Sequence, residues 1–120
     1  MSDSATKFFE AWQIEDAESR MAKIASAVTE NICYDDPRTS ESLIGVKALS
    51  GYVGIFSANA PGWSAKVVKS DSISDITRVT VAFSGVGPDG TEQVQLGQYF
   101  LEHEGERLSR IVGFVGTGES

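Results

Sequence analysis

The stretch Ile32-Cys33-Tyr34-Asp35-Asp36-Pro37-Arg38-Thr39-Ser40-Glu41-Ser42-Leu43-Ile44-Gly45 decides how the rest of the chain is read. Asn31 to Asp36 is too short for a helix and is closed by Pro37. A residue before proline is pushed out of the α region, so Asp36 is expected to be extended. Alternation along such a strand sets Ile32, Tyr34 and Asp36 on one face and Cys33 and Asp35 on the other. Arg38 to Ile44 is polar and reads as a loop. Gly45 then opens a helix, Val46 to about Ala58, whose stripe of Leu49, Val53 and Phe56 faces a core. Gly51 and Gly54 each weaken that helix by nearly ~1 kcal/mol relative to Ala, a cost that close packing on a neighbouring backbone would offset. Pro61 and Gly62 end it.

Upstream, the chain reads as two helices. Over Thr6 to Glu15, Phe8, Phe9, Ala11 and Trp12 recur at helical spacing while Lys7, Glu10 and Gln13 fall outside the stripe, and Ser4 or Thr6 is a candidate cap. From Ala17 to Glu30 a second stripe consists of Met21, Ile24, Ala25 and Val28, with Asp16 as N-cap and Glu18 near the positive end of the dipole. The two helices are expected to meet at a corner near Asp16.

Downstream, the pattern changes to period two. Trp63 to Ser70, Ile76 to Val86, Thr91 to Glu102 and Leu108 to Val115 read as strands, with Val79, Val81 and Phe83 alternating with Thr80, Ala82 and Ser84. Gly87-Pro88-Asp89-Gly90 and Glu104-Gly105-Glu106 supply turns, so these strands are expected to form an antiparallel meander. Ser70 to Asp75 reads as a solvated connection and Gly116 to Ser120 as a frayed tail. Helices first and strands last make the class α+β.

Composition narrows the function. The chain has 120 residues and a net charge of −7, from 10 basic and 17 acidic side chains, which disfavours nucleic acid and anionic membrane surfaces as partners. Its length suits a single domain spanning 1–120. Cys33 is the only cysteine and has no internal partner, and Met1 to Phe9 lacks the basic and apolar segments of a signal peptide, so the cytoplasm is the expected location.

Most site chemistries lack their residues. With one histidine and one cysteine there is no zinc-ligand spacing, and no metal is expected. His103, in Glu-His-Glu-Gly-Glu, reads as a solvated hairpin residue. Cys33 is followed by Tyr34, Asp35 and Asp36, which disfavour a thiolate, so it reads as core filler. Gly85, Gly87 and Gly90 lie between strands and open no helix, unlike a nucleotide-binding loop.

A helix pair, a short strand ending Tyr34-Asp35-Asp36-Pro37, a polar loop, Gly45 at a helix start and a meander closing Arg110-Ile111-Val112-Gly113-Phe114-Val115-Gly116 together resemble the nuclear transport factor 2-like superfamily. That group includes ketosteroid isomerase and the SnoaL-like polyketide cyclases. The resemblance covers Thr6 to Gly116 and rests mostly on element order and length. It implies a cone: a strongly curved, mostly antiparallel sheet wrapped around the N-terminal helices, with an internal cavity. It also implies that the Asp before Pro, here Asp36, points into that cavity as a general base. An apolar surrounding makes a carboxylate a better proton acceptor.

Two positions depart from the isomerase pattern of a Tyr and a protonated Asp donating to the enolate. Ungapped counting back from Asp36 puts Trp12 at the Tyr position, and aligning the hairpin puts Gly97 at the acid. Tyr99 is the first choice for a replacement donor, with Tyr34 and Gln95 on faces that can reach the same space. Phe56, Trp63 and Phe114 are candidate walls. The implied function is binding of an apolar or aromatic small molecule and, if the chain is an enzyme, cofactor-independent isomerisation or aldol cyclisation. The alternative is a non-catalytic ligand-binding or dimerisation domain of the same shape. A scytalone-dehydratase-like lyase normally needs a pocket histidine, and His103 is poorly placed for one. The mildly polar outer face of the sheet predicts a homodimer.

Overall fold

The computed structural model describes residues 4–39, 41–59, 62–87 and 89–116. Helix α1 (Ser4–Glu10) tightens into one 3-10 turn, Ala11–Gln13, instead of continuing to Glu15. Such turns commonly finish α-helices, and here Ile14 turns extended with its N–H bonded to the Ala11 carbonyl at 3.1 Å. The stripe is kept, since Phe8, Phe9, Ala11 and Trp12 are all buried. Ser4 lies within α1, where its hydroxyl donates to the Glu106 carbonyl.

Asp16 caps α2 (Ala17–Ala27), accepting from the Ser19 N–H at 2.8 Å. The buried side of α2 is Arg20, Ile24 and Ala27, while Met21 and Ala25 are exposed. Of the expected stripe, Ile24 and Val28 are buried, whereas Arg20 and Ala27 take the inward places expected of Met21 and Ala25. An arginine reads as polar in a periodicity count, yet its stem can cover apolar surface. The Arg20 guanidinium donates to the Ile14 carbonyl at 3.4 Å and packs on α3, where a Cβ at Gly54 would meet Nη2 at 3.0 Å. Gly54 thus packs on a side chain and not on the neighbouring backbone expected of it, and a Cβ at Gly51 would meet nothing within 4 Å.

Strand β1 (Val28–Asp35) begins at Val28, a residue expected in the preceding helix. Val28 and Thr29 are β-branched and favour extended backbone, and Val28 pairs with Leu108. Inside the expected loop, β2 (Leu43–Ile44) pairs antiparallel with β1. Gly45, at φ +94°, donates its N–H to the Ile32 carbonyl and turns the chain into α3 (Val46–Asn59).

The second half comprises β3 (Ser64–Ile73), β4 (Ile76–Val86), β5 (Glu92–Glu104) and β6 (Arg107–Val115). The expected connection Ser70 to Asp75 is mostly strand: β3 runs to Ile73, leaving Ser74, at φ +54°, and Asp75 as the turn. Its polar side chains find partners across the ladder, Asp71 with Arg78 at 3.2 Å and Ser72 with Thr77 at 2.8 Å. Expectations for Pro61, Pro88 and residues 117–120 lie outside the described residues.

The six strands are ordered β2-β1-β6-β5-β4-β3. β3 to β6 form the expected antiparallel meander, and β1 lies beside β6 in parallel. Register shifts at Val67/Lys69, Glu102/His103 and Val28/Cys33 bend the ladder. Helix α1 touches both β3 at the sheet edge and β6 three strands away, as a sheet curled around a helix does. Val79, Val81, Tyr99, Leu101 and Ile111 point inward and are buried. Thr80, Ala82 and Ser84 alternate outward. Cys33 alternates outward too and is half-buried beside Asp35, so it is not core filler. Among the described residues no helix is long and apolar enough to cross a membrane.

Candidate functional site

Asp36 follows β1 directly and divides its carboxylate between two tasks. Oδ1 accepts from the backbone N–H groups of Arg38 at 2.8 Å and Thr39 at 3.1 Å, which with the Thr39 N–H to Asp36 carbonyl bond at 3.2 Å builds the turn around Pro37. Oδ2 faces away from the turn and accepts two phenol hydroxyls, Tyr34 at 2.7 Å and Tyr52 at 2.6 Å. The turn-forming role and the inward-facing role of Asp36 therefore coexist, one on each oxygen.

Asp36 stands on the wall of a cavity of about 650 Å³. Its apolar walls are Trp12, Ile55, Phe56, Trp63 and Phe83; Tyr52 and Tyr99 stand with Asp36, and Pro37, Arg38, Gln95, Leu96, Gly97, Phe114 and Val115 complete the lining. The aromatic rings brace one another edge to face, Trp12 on Phe56 at 5.1 Å and Phe56 on Phe83 at 5.8 Å between centroids. Trp63 lies over Gly85, where a Cβ would come 2.5 Å from its ring.

The polar groups differ in how they are held. Burial, first of all, lifts the Tyr34 hydroxyl well above its ordinary range, and burial together with the hydrogen bond to Asp36 does the same for Tyr52. Burial holds Tyr99 at about 12, opposed first by its hydrogen bond with Tyr34, with the Asp36 charge adding to the rise and Arg38 opposing it. All three phenols are thus donors at neutral pH. Trp12 Nε1 is buried with no hydrogen-bond partner among the described residues.

Of the residues expected at the site, Asp36, Trp12, Phe56, Trp63, Gln95, Gly97, Tyr99 and Phe114 line the cavity. One correction applies. Tyr34 is fully buried and does not line it; its hydroxyl supports Asp36 from behind. Phe114 is in the lining as expected, while its ring also meets Phe100 edge-on at 5.9 Å on the outward side of the sheet, because alternation from buried Gly113 turns it that way. His103 is away from the cavity lining, half-buried in β5 and bonded through Nε2 to Thr77 at 2.7 Å, so it is not a free turn residue. Sequence reasoning missed Tyr52. A signal for it exists: Leu49, Tyr52, Val53 and Phe56 share the i, i+3, i+4, i+7 spacing, and only Tyr52 in that stripe carries a polar end.

No sequence-family profile and no curated protein sequence matches the chain. Solved structures do. A SnoaL-like family protein from Agrobacterium tumefaciens superposes with a TM-score of 0.80 at 23% identity over 95% of both chains. A protein with a ketosteroid isomerase-like fold from Catenulispora acidiphila, solved in complex with trimethylamine, gives 0.77 at 14% identity over 94% of this chain and 85% of that one. A nuclear transport factor 2-like protein from Exiguobacterium, of unknown function, gives 0.73 at 12% identity over 94% and 98%. At these identities the likeness is one of fold.

Proposed function

We propose that this chain, which has the nuclear transport factor 2-like fold, binds an apolar or aromatic small molecule in its cavity and moves a proton α to a carbonyl with Asp36 as base. The observation that carries the reading is the Asp36 carboxylate on the wall of a cavity lined mostly by apolar and aromatic side chains, beside phenols that stay protonated.

In the first step the α C–H bond breaks. Its proton goes to Asp36, its electron pair forms the C=C bond of an enolate, and the carbonyl π pair moves onto oxygen. Tyr99 donates to that oxygen. In an isomerisation Asp36 returns the proton to a different carbon of the same π system. In an aldol cyclisation the enolate carbon attacks a second carbonyl, and Asp36 protonates the alkoxide that forms. Both sequences balance without a cofactor.

The test is hydrogen–deuterium exchange at the α carbons of 2-tetralone. Wild-type protein should accelerate it, and Asp36→Asn should abolish the acceleration while 2-tetralone still binds. Equal rates in the two proteins would reject the base.

A second reading is a non-catalytic binding domain, favoured by the count at Asp36. An ionised carboxylate has about four lone-pair sites, and four donors occupy them. This reading requires ligand binding with no exchange. Aromatic faces beside a carboxylate also suit an organic cation, so trimethylamine belongs in the ligand screen.

For partners, the reading is a homodimer through the outward sheet face, where Leu96, Phe100 and Phe114 are exposed. The cytoplasm, where the lone cysteine stays reduced, is the compartment it implies.

A further inference from the structure

We infer that Tyr52 is a switching donor: when a ligand brings a carbonyl oxygen into the cavity, the Tyr52 hydroxyl turns from Asp36 Oδ2 to that oxygen, and the same movement opens a lone pair on Oδ2 for the α-proton. The inference deepens the proton-transfer reading above and rests on it.

Asp36 is positioned as a base, yet its acceptor sites are full, so one donor must leave before a proton can arrive. Three of the four cannot. The N–H groups of Arg38 and Thr39 belong to the turn that places Asp36, and withdrawing them undoes the turn. Tyr34 is fully buried and has no cavity surface to turn towards. Tyr52 is half-buried and lines the cavity while its hydroxyl sits 2.6 Å from Oδ2.

The switch needs no relocation of the ring. Rotation about the Cζ–Oη bond redirects the proton, and the two oxygens, no longer bridged by it, ease apart and open that lone pair. The distances then close. A carbonyl oxygen accepting from Tyr52 at ~2.8 Å, to one side of the axis joining the hydroxyl to Oδ2, lies ~4.5 Å from Oδ2, against 2.6 Å between the two protein oxygens while they are bonded. An α carbon is held ~2.4 Å from its own carbonyl oxygen by bond lengths and angles. With the carbonyl bent off the line between the two protein oxygens, its α carbon clears the Tyr52 oxygen by ~3.3 Å and comes to ~3 Å from Oδ2, a reactive separation. A ligand without an acceptor leaves Tyr52 on Asp36, so the same contact that activates the carbonyl also releases the base. Protonation supports the direction of transfer, because a phenol held protonated keeps the hydrogen that it donates.

The chain has three tyrosines, which makes the switch observable. With tyrosine labelled at 13Cζ, 2-tetralone should move the Tyr52 resonance, whereas tetralin, of the same shape without the oxygen, should leave it in place. Tyr52→Phe identifies the resonance; should that variant not fold, Tyr34→Phe and Tyr99→Phe assign it by elimination. In Tyr52→Phe the preference for 2-tetralone over tetralin should fall about tenfold, and α-proton exchange about 10²-fold. A Tyr52 resonance that responds alike to both probes overturns the inference, as does exchange in Tyr52→Phe equal to or faster than wild type. Failure of the base reads differently: exchange then persists in Asp36→Asn, and the ketone-specific response of Tyr52 remains the measure of the donor.

Discussion

The Tyr99 ring lies flat against the backbone of Gly113, its cross-strand partner on β6: a Cβ placed at Gly113 would run into Cε2 of Tyr99. The ring is fixed from the other side by Phe9, edge-on at 4.9 Å. Glycine at 113 is therefore what lets a phenol at position 99 lie down along the sheet and reach the cavity. Gly113→Ala should push the ring off the sheet, cost about 1–3 kcal/mol in urea denaturation as overpacking does, and weaken 2-tetralone binding. Tyr99→Phe keeps the ring and should retain shape-based binding of tetralin. If Gly113→Ala binds and unfolds like wild type, Tyr99 is not seated as described.

The raised phenols link stability to high pH. Tyr99 is held at about 12, so in the folded chain it keeps its proton over a range in which the unfolded chain, titrating near ~10, has lost it. The folded state binds more protons there, which makes stability fall as pH rises. The contribution is complete below about pH 10 and disappears as pH passes about 12, with a slope of ~1.4 kcal/mol per pH unit for Tyr99. Urea midpoints measured from pH 8 upward should be flat and then drop above about pH 10, less steeply in Tyr99→Phe. A flat profile to the top of the range would contradict the burial of these hydroxyls.

What the sequence disclosed depended on whether the cause of each feature was local. The stripe on α3 and the alternation through Val79, Val81 and Phe83 are written in neighbouring residues, and both were legible. So was Asp36, because Pro37 constrains the residue before it. The polar extension of β3 was not, since Ser72 and Asp71 are held by Thr77 and Arg78 across a turn. Nor was the buried face of α2, where Arg20 takes an inward place that its charge argues against. Tyr34 was assigned to the right face but to the wrong depth. Tyr52 escaped because its partner is sixteen residues away, on a different element.

The outward sheet face supplies a separate test. Phe100 and Phe114 meet at 5.9 Å and 88° with both rings open to solvent, and on β5 Phe100 pairs with Arg78 and Val112. If two copies join there, Phe100→Glu places a charge in the centre of the contact, and light scattering should show monomers with unchanged circular dichroism. Because Phe100 is already exposed, the change should alter the stability of an isolated subunit by no more than about 0.5 kcal/mol. A wild-type chain that is monomeric at micromolar concentration removes the dimer.

Tyr34 and Tyr52 donate to one oxygen, from opposite environments. Their rings are 5.4 Å apart, so the two sites are close enough to couple. Water cannot replace the hydroxyl of Tyr34, which is sealed in the core, but it can enter from the cavity where Tyr52 stands. Tyr34→Phe should therefore be the costlier single change, about 1–3 kcal/mol, with Tyr52→Phe below it. Either variant leaves Oδ2 one phenol. The double variant leaves it none, and an under-satisfied carboxylate oxygen costs more than the sum of two weakened bonds. Urea denaturation of all four proteins should show the double change exceeding the sum of the singles by at least ~0.5 kcal/mol. Strict additivity would mean that the two hydroxyls act independently and that Asp36 is not held jointly between them.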